Sequence, residues 1–227
     1  MPGSIEKNVQ PVNKMQLFRD LVKFGKRLHA QGFVAATDGN LSARLDERSI
    51  AITPTGFSKA AMTSADMVVV DLNGTKISGH HNPSSELEMH LTIYRMRPDV
   101  AAVVHAHPCT ATAFASTGLA LDEPLCSEAV ITLGSVPLAP YATPGTEQLS
   151  RSLEPFLEDH DAILMANHGV VTYARELSRA YMKMEAVEHY ARIVLAIRQL
   201  GAAKMLTLDD RKKLVEMRTK YLANCSA

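Results

Sequence analysis

Two histidines one residue apart, His105 and His107 in Val103-Val104-His105-Ala106-His107-Pro108, close a run of small apolar residues, and His168-Gly169 closes a second. Side chains two apart on a strand share a face, so two imidazoles spaced this way converge on one ion while a buried strand holds them still. The pattern reads as a divalent metal site to which the pair supplies two ligands and the rest of the chain at least one more. The bland alternative is a pair of hydrogen-bonded structural histidines. Glu86 and His90 are four apart on an expected helix, and spacing alone makes them a surface pair. His80-His81 diverge as neighbours do and sit in a polar stretch, which favours solvated side chains over a second metal pair.

The elements that must position these residues follow from periodicity and punctuation. Residues 1–13, polar with two prolines, read as an arm, and residues 14–227 as one domain. Met15, Leu17, Phe18, Leu21, Val22, Phe24 and Leu28 recur at helical spacing, and that helix ends near Gln31-Gly32. Asn40 to Leu45, Ser49 to Thr53 and Asp66 to Leu72 are extended pieces bounded by turn residues. A helix begins after Asn82-Pro83-Ser84 and stops at Arg97-Pro98, and Val100 to His105 is a buried strand. Ser135 to Ala139 and Ala162 to Ala166 read as strands flanking a helix from about Gly145 to Leu157. Leu177 to Leu200 and Leu208 to Leu222 are amphipathic helices. This order implies an α/β fold with a central mixed sheet covered by helices on both faces.

Composition narrows the function classes. Lys plus Arg and Asp plus Glu each total 24 among 227 residues, and no long basic run makes nucleic acid or an anionic membrane the default partner. A small-molecule ligand is expected. Cys109, Cys126 and Cys225 are widely spaced and form no Cys-x-x-Cys, and the N-terminus lacks a basic-then-apolar leader, which suggests a reduced, cytoplasmic protein. No apolar run approaches the roughly 18 residues of a membrane span. Met182, Met184, Val187 and Tyr190 read as packing.

Six phrases in order resemble the class II aldolase and adducin-head family, most closely its L-fuculose-1-phosphate aldolase-like branch. They are Thr37-Asp38-Gly39-Asn40-Leu41-Ser42, Ile52-Thr53-Pro54-Thr55-Gly56, Pro83-Ser84-Ser85-Glu86, His105-Ala106-His107, Ala139-Pro140-Tyr141 with Gly145-Thr146, and Asn167-His168-Gly169. The resemblance implies a single-domain, three-layer fold around a mostly antiparallel sheet. It implies a zinc ion on His105, His107 and His168, with manganese, iron or cobalt as alternatives. It also implies that Glu86 touches the metal in the resting site and acts as base when substrate displaces it. A homotetramer with active sites between neighbours is implied as well, with residues around 110 to 135 and the C-terminus contributing.

The chemistry accounts for these residue types. A ketose 1-phosphate can bind zinc through its carbonyl and adjacent hydroxyl, and the metal stabilises the enediolate left when the carbon–carbon bond breaks. Neutral imidazoles preserve the ion's charge, which thiolates would cancel. Glu86 shuttles the proton at the enediolate carbon. Gly39-Asn40 and Thr55-Gly56 are turns whose amides can approach an anion, and Ser84-Ser85 precede a helix start. The resemblance assigns these positions, with Thr37, to the phosphate of dihydroxyacetone phosphate.

Departures from the aldolase pattern bear on the substrate. Cys126 stands where fuculose-phosphate aldolases carry a tyrosine from the neighbouring subunit, and Tyr221 corresponds to their second, C-terminal tyrosine, the proton donor to the leaving aldehyde. Family epimerases carry Asp where Glu86 stands, which disfavours that activity. A decarboxylase of a 3-keto sugar-acid phosphate is the alternative enzyme, and a non-enzymatic, adducin-head-like binding module is the alternative outside enzymes.

Overall fold

A computed structural model describes residues 13–224, with side chains through Tyr221. The expected arm therefore lies outside the described residues apart from Asn13, and so does Cys225. Asn13 caps the first helix, α1 (Lys14–Ala30), its side-chain oxygen accepting from the Gln16 amide at 3.1 Å. Phe18, Leu21, Phe24 and Leu28 form the buried stripe of α1, as their spacing predicts, and Gln31 ends it.

Among the described residues eight strands form one sheet: β1 (Asn40–Arg44), β2 (Ser49–Ile52), β3 (Val68–Asp71), β4 (Lys76–Ser78), β5 (Ala102–Ala106), β6 (Leu138–Ala139), β7 (Ala162–Met165) and β8 (Gly169–Ala174). Their spatial order is β4-β3-β2-β1-β5-β8-β7-β6. Every neighbouring pair is antiparallel except β6 and β7, so the sheet is mixed and mostly antiparallel as expected. The other helices are α2 (Leu87–Met96), α3 (Cys109–Ser116), α4 (Ser127–Thr132), α5 (Glu147–Leu153), α6 (Leu177–Leu200) and α7 (Leu208–Asn224). No described helix is long and apolar enough to cross a membrane.

Helices cover both faces because the strands alternate. Ala102, Val104 and Ala106 of β5 join one buried cluster with α1, α3, α4 and α6, while Val103 joins a second with α2 and α5. By the same alternation His105 points to the α2 side.

Several expectations were too long or incomplete. The strand expected over Ser135 to Ala139 joins the sheet only at Leu138–Ala139, while Val136 bridges Leu121, because Pro137 has no N–H for the ladder. The helix expected from about Gly145 to Leu157 is shorter, and Pro155 falls in a 3₁₀ turn at Glu154–Phe156. Sequence reasoning assigned nothing to β4, α3, α4 or β8. The last matters most, since β7 and β8 form a hairpin whose three-residue turn, Ala166-Asn167-His168, holds Asn167 at φ +55°. Asn-x-Gly between two apolar runs was the available signal.

Candidate metal centre and active site

Three elements bring the histidines together. His105 ends β5, His107 follows one residue past the strand, and His168 rides the β7–β8 turn beside them. One ligating nitrogen from each of the three lies within 4.8 Å of the others. The Nε2 atoms of His105 and His107 are 3.0 Å apart, close to the roughly 3.3 Å separation of two imidazole nitrogens on one tetrahedral zinc. His105 is fully buried, and its Nδ1 donates to the Val170 carbonyl at 2.9 Å, which leaves Nε2 bare toward the centre.

Glu86 lies immediately before α2 with a buried carboxylate. Its Oε2 is 3.1 Å from His105 Nε2 and its Oε1 is 3.1 Å from His168 Nε2. Burial opposes ionisation of Glu86, but the charges and hydrogen bonds of His105 and His168 overcome it and hold the carboxyl well below the usual range. Burial likewise disfavours charge on His105, and Glu86 reverses that and raises its pKa. His107 falls to about 4, through burial and then the charges of His105 and His168.

Metal fits this donor set on local evidence. Among the described residues, Glu86 Oε1 is a buried polar atom with no hydrogen-bond partner of acceptable geometry, as expected where an ion completes the network. The histidines also crowd one another by design. A Cβ on Gly169 would lie 2.4 Å from His107 Cδ2 and 2.7 Å from the Ala106 carbonyl, so only glycine lets the imidazoles close up.

Of the expected phosphate positions, Asn40 and Ser84 bond Glu86 directly. Thr55 N donates to the Asn82 carbonyl and Ser84 N to the Thr53 carbonyl, each at 3.2 Å, which pairs the Thr53–Gly56 loop with the Asn82–Ser84 segment. The Ser84 hydroxyl accepts from the Glu86 amide at 3.3 Å. Thr37, Thr55, Gly56 and Ser85 are exposed, while Gly39, Asn40 and Ser84 are buried. Asn40 pairs with His105 across the β1–β5 ladder, and Gly39, at φ +69°, packs so closely that a Cβ would meet the His105 carbonyl at 2.8 Å.

Other expectations fare differently. Glu86 makes no ion pair with His90. Asn40 lies between them, donating to Glu86 Oε2 at 2.8 Å. His80 is exposed, and His81 bonds Asp66 at 3.2 Å away from the cluster. Tyr221 lines a cavity of 240 Å³ with Arg97, Asp161 and Lys183. Asp161 precedes β7 whereas His168 follows it, so Tyr221 lies at the opposite end of the sheet from its own chain's histidines. Cys126 caps α4, its thiol within 3.4 Å of Glu128 Oε2.

Two supporting residues were missed. The buried Lys59 ammonium donates to the Thr37 carbonyl at 3.0 Å and the Phe57 carbonyl at 2.8 Å, tying the segments around Thr37 and Thr55-Gly56 together. The buried Glu188 carboxylate of α6 accepts from the Thr110 and Ala111 amides at 3.0 and 2.9 Å, anchoring the start of α3 just beyond His107. A lysine between Ser58 and Ala60 or a glutamate amid α6 carries no local signal, because each partner is a remote backbone.

Comparison with known proteins agrees with this geometry. The sequence model of the Class II Aldolase and Adducin N-terminal domain matches residues 19–195. A 5-deoxy-D-ribulose 1-phosphate aldolase of Bacillus thuringiensis is 35% identical over 87% of this chain and 92% of its own. A 3-oxo-tetronate 4-phosphate decarboxylase of Pectobacterium atrosepticum is 34% identical over 86% of this chain and 90% of its own. A solved L-fuculose 1-phosphate aldolase superimposes with a TM-score of 0.83 at 32% identity, covering 88% of this chain and 95% of that one. With its family model spanning most of its length and such relatives on either side, the chain belongs to the class II aldolase and adducin family, in the fuculose-phosphate aldolase-like branch.

Proposed function

We propose that the protein is a zinc-dependent carbon–carbon lyase that reversibly cleaves a ketose 1-phosphate, a deoxy-sugar such as L-fuculose 1-phosphate, into dihydroxyacetone phosphate and a short aldehyde. The observation that carries this reading is the position of Glu86, 3.1 Å from both His105 Nε2 and His168 Nε2 and two residues from Ser84 in the phosphate loops. When bound, the ion supplies positive charge to the substrate's carbonyl and adjacent hydroxyl oxygens as the bond breaks. His105, His107 and His168 hold it as neutral donors. Manganese, iron or cobalt suit the same imidazoles.

This chain's residues do the rest. Thr37, Gly39, Asn40, Thr55, Gly56, Ser84 and Ser85 grip the phosphate through amides, hydroxyls and one carboxamide. That grip sets the adjacent carbon beside Glu86, which takes and returns its proton. Tyr221, from a neighbouring subunit of a homotetramer since its own histidines lie across the sheet, takes the hydroxyl proton as the aldehyde forms and returns it to the aldehyde oxygen in the reverse direction. Cys126 in place of tyrosine alters the aldehyde end and so the native sugar. The free thiols of Cys109 and Cys126 suit the cytoplasm.

The decarboxylase reading draws its support from the Pectobacterium relative, because loss of carbon dioxide from a 3-keto acid phosphate develops charge on the same oxygens. A competition assay separates the two. Deoxyketose 1-phosphates are followed for dihydroxyacetone phosphate release, and a 3-oxo-tetronate 4-phosphate for carbon dioxide. Faster turnover of the latter replaces the aldolase reading. Absence of zinc binding together with inactivity on both favours the binding module.

A further inference from the structure

Behind Glu86 runs a chain of side chains that the proposed chemistry does not use. Asn40 Oδ1 meets His90 Nε2 at 2.5 Å, His90 Nδ1 meets Ser42 Oγ at 2.6 Å, and Ser42 Oγ meets Tyr94 OH at 2.8 Å. All four residues are buried. The match is geometric. Asn40, Ser42 and Arg44 recur every second residue of β1, about 6.7 Å apart, and Glu86, His90 and Tyr94 recur every fourth residue along α2, about 6 Å apart. Strand and helix therefore close like a ladder, with Arg44 donating to the Tyr94 carbonyl at 2.7 Å as the last rung.

The charge on Glu86 dictates every proton in this chain. An ionised carboxylate only accepts, so the Asn40 amide must turn its NH₂ toward Glu86 and its oxygen toward His90. His90 must then carry its proton on Nε2, which leaves Nδ1 to accept from Ser42. The single Ser42 proton is thereby committed, and Ser42 can only accept from Tyr94. A flipped Asn40 would face its oxygen to the carboxylate, a repulsion in a buried site that no change of His90 tautomer relieves. An amide does not pass a proton along readily, so the chain orients and does not conduct.

We propose that His90 is a positioning residue. As the neutral Nε2–H tautomer, held by Ser42 and Tyr94, it fixes the Asn40 amide so that its NH₂ aims Glu86 at the metal site and stands ready for the phosphate when Glu86 moves off. The inference rests on the aldolase reading for its consequence in turnover, but its geometry does not need that reading. Burial, with the charge of His105, lowers His90 to about 3, which agrees with a ring that stays neutral.

The test has two arms. In the first, ¹⁵N NMR of the wild-type protein at pH 7 assigns the His90 tautomer. A protonated Nε2 with bare Nδ1 is expected, and a protonated Nδ1 overturns the proposal without any substrate. In the second, His90→Phe, His90→Gln and wild type are compared for zinc affinity by chelator competition and for kcat and KM. His90→Phe is expected to lose about 10–100-fold in zinc affinity and kcat and to raise KM, as orienting partners of metal sites do. His90→Gln, whose amide can still donate to Asn40, is expected to recover most of both. A folded His90→Phe with wild-type zinc affinity and kcat, or a His90→Gln no better than His90→Phe, overturns it. Should His90→Phe fail to fold, the tautomer decides. A correct tautomer and zinc response in a protein that turns over no ketose phosphate condemns the aldolase reading alone.

Discussion

Gly169 and His107 are in mutual contact, since any Cβ on the glycine would fall 2.4 Å from the imidazole's Cδ2. The backbone that opens β8 thus sets the ring angle of a histidine that follows β5. Gly169→Ala is expected to push His107 out of convergence and weaken zinc binding by about 10–100-fold while the fold persists. Chelator competition measures the loss, with His105→Ala, which should hold no stoichiometric zinc, as reference. Undiminished affinity in Gly169→Ala would show that His107 is not a ligand.

Glu86→Gln keeps the size of the side chain and removes the base. Proton transfer is expected to fall by about 10²–10⁴-fold while the phosphate KM changes little, because Ser84, Thr55 and Gly56 are untouched. A variant with near wild-type turnover would assign the proton to another group.

Lys59 gives a pH signature away from the metal. Burial, opposed by the charge of Asp38, lowers it to about 8 from an unfolded value near 10.5. Folding therefore favours the neutral amine. The penalty is complete below pH 8, where the group is charged in both states, and is relieved as pH rises from 8 to 10.5. The stability of wild type relative to Lys59→Met should climb across that window in denaturant unfolding, while KM for a phosphorylated substrate worsens as the ammonium charge near Thr37 and Phe57 disappears. Parallel stability curves would remove the account of Lys59.

The distance between Tyr221 and its own histidines predicts complementation. Tyr221→Phe and His105→Ala homotetramers should each be impaired. Mixed tetramers should regain activity, since a site can then take its histidines from one chain and its tyrosine from another. No gain on mixing, or a monomer by light scattering, contradicts the shared site.

Much of this was legible in the sequence because the decisive residues cluster in short phrases. His105, His107 and Glu86 sit at element ends marked by Pro108 and by Pro83-Ser84, the buried stripe of α1 follows its period, and β5 is buried throughout as its apolar run predicts. What escaped depended on distant partners. Asn40 between Glu86 and His90, Lys59 beneath Thr37, and Glu188 at the start of α3 make contacts 22 to 78 residues apart in sequence. β8 escaped because its turn was read only as a ligand motif, although Asn167 and Gly169 also mark a hairpin.

Proton exchange on the three-carbon fragment needs no guess about the aldehyde. The zinc-loaded protein is incubated with dihydroxyacetone phosphate in heavy water, and loss of the carbon-bound proton is followed by NMR, beside a chelator control and Glu86→Gln. Exchange in the wild type that vanishes in both controls is the predicted result. No exchange from zinc-loaded wild type would contradict enolisation of dihydroxyacetone phosphate at this site, which the decarboxylase reading also requires, and would put the binding module first.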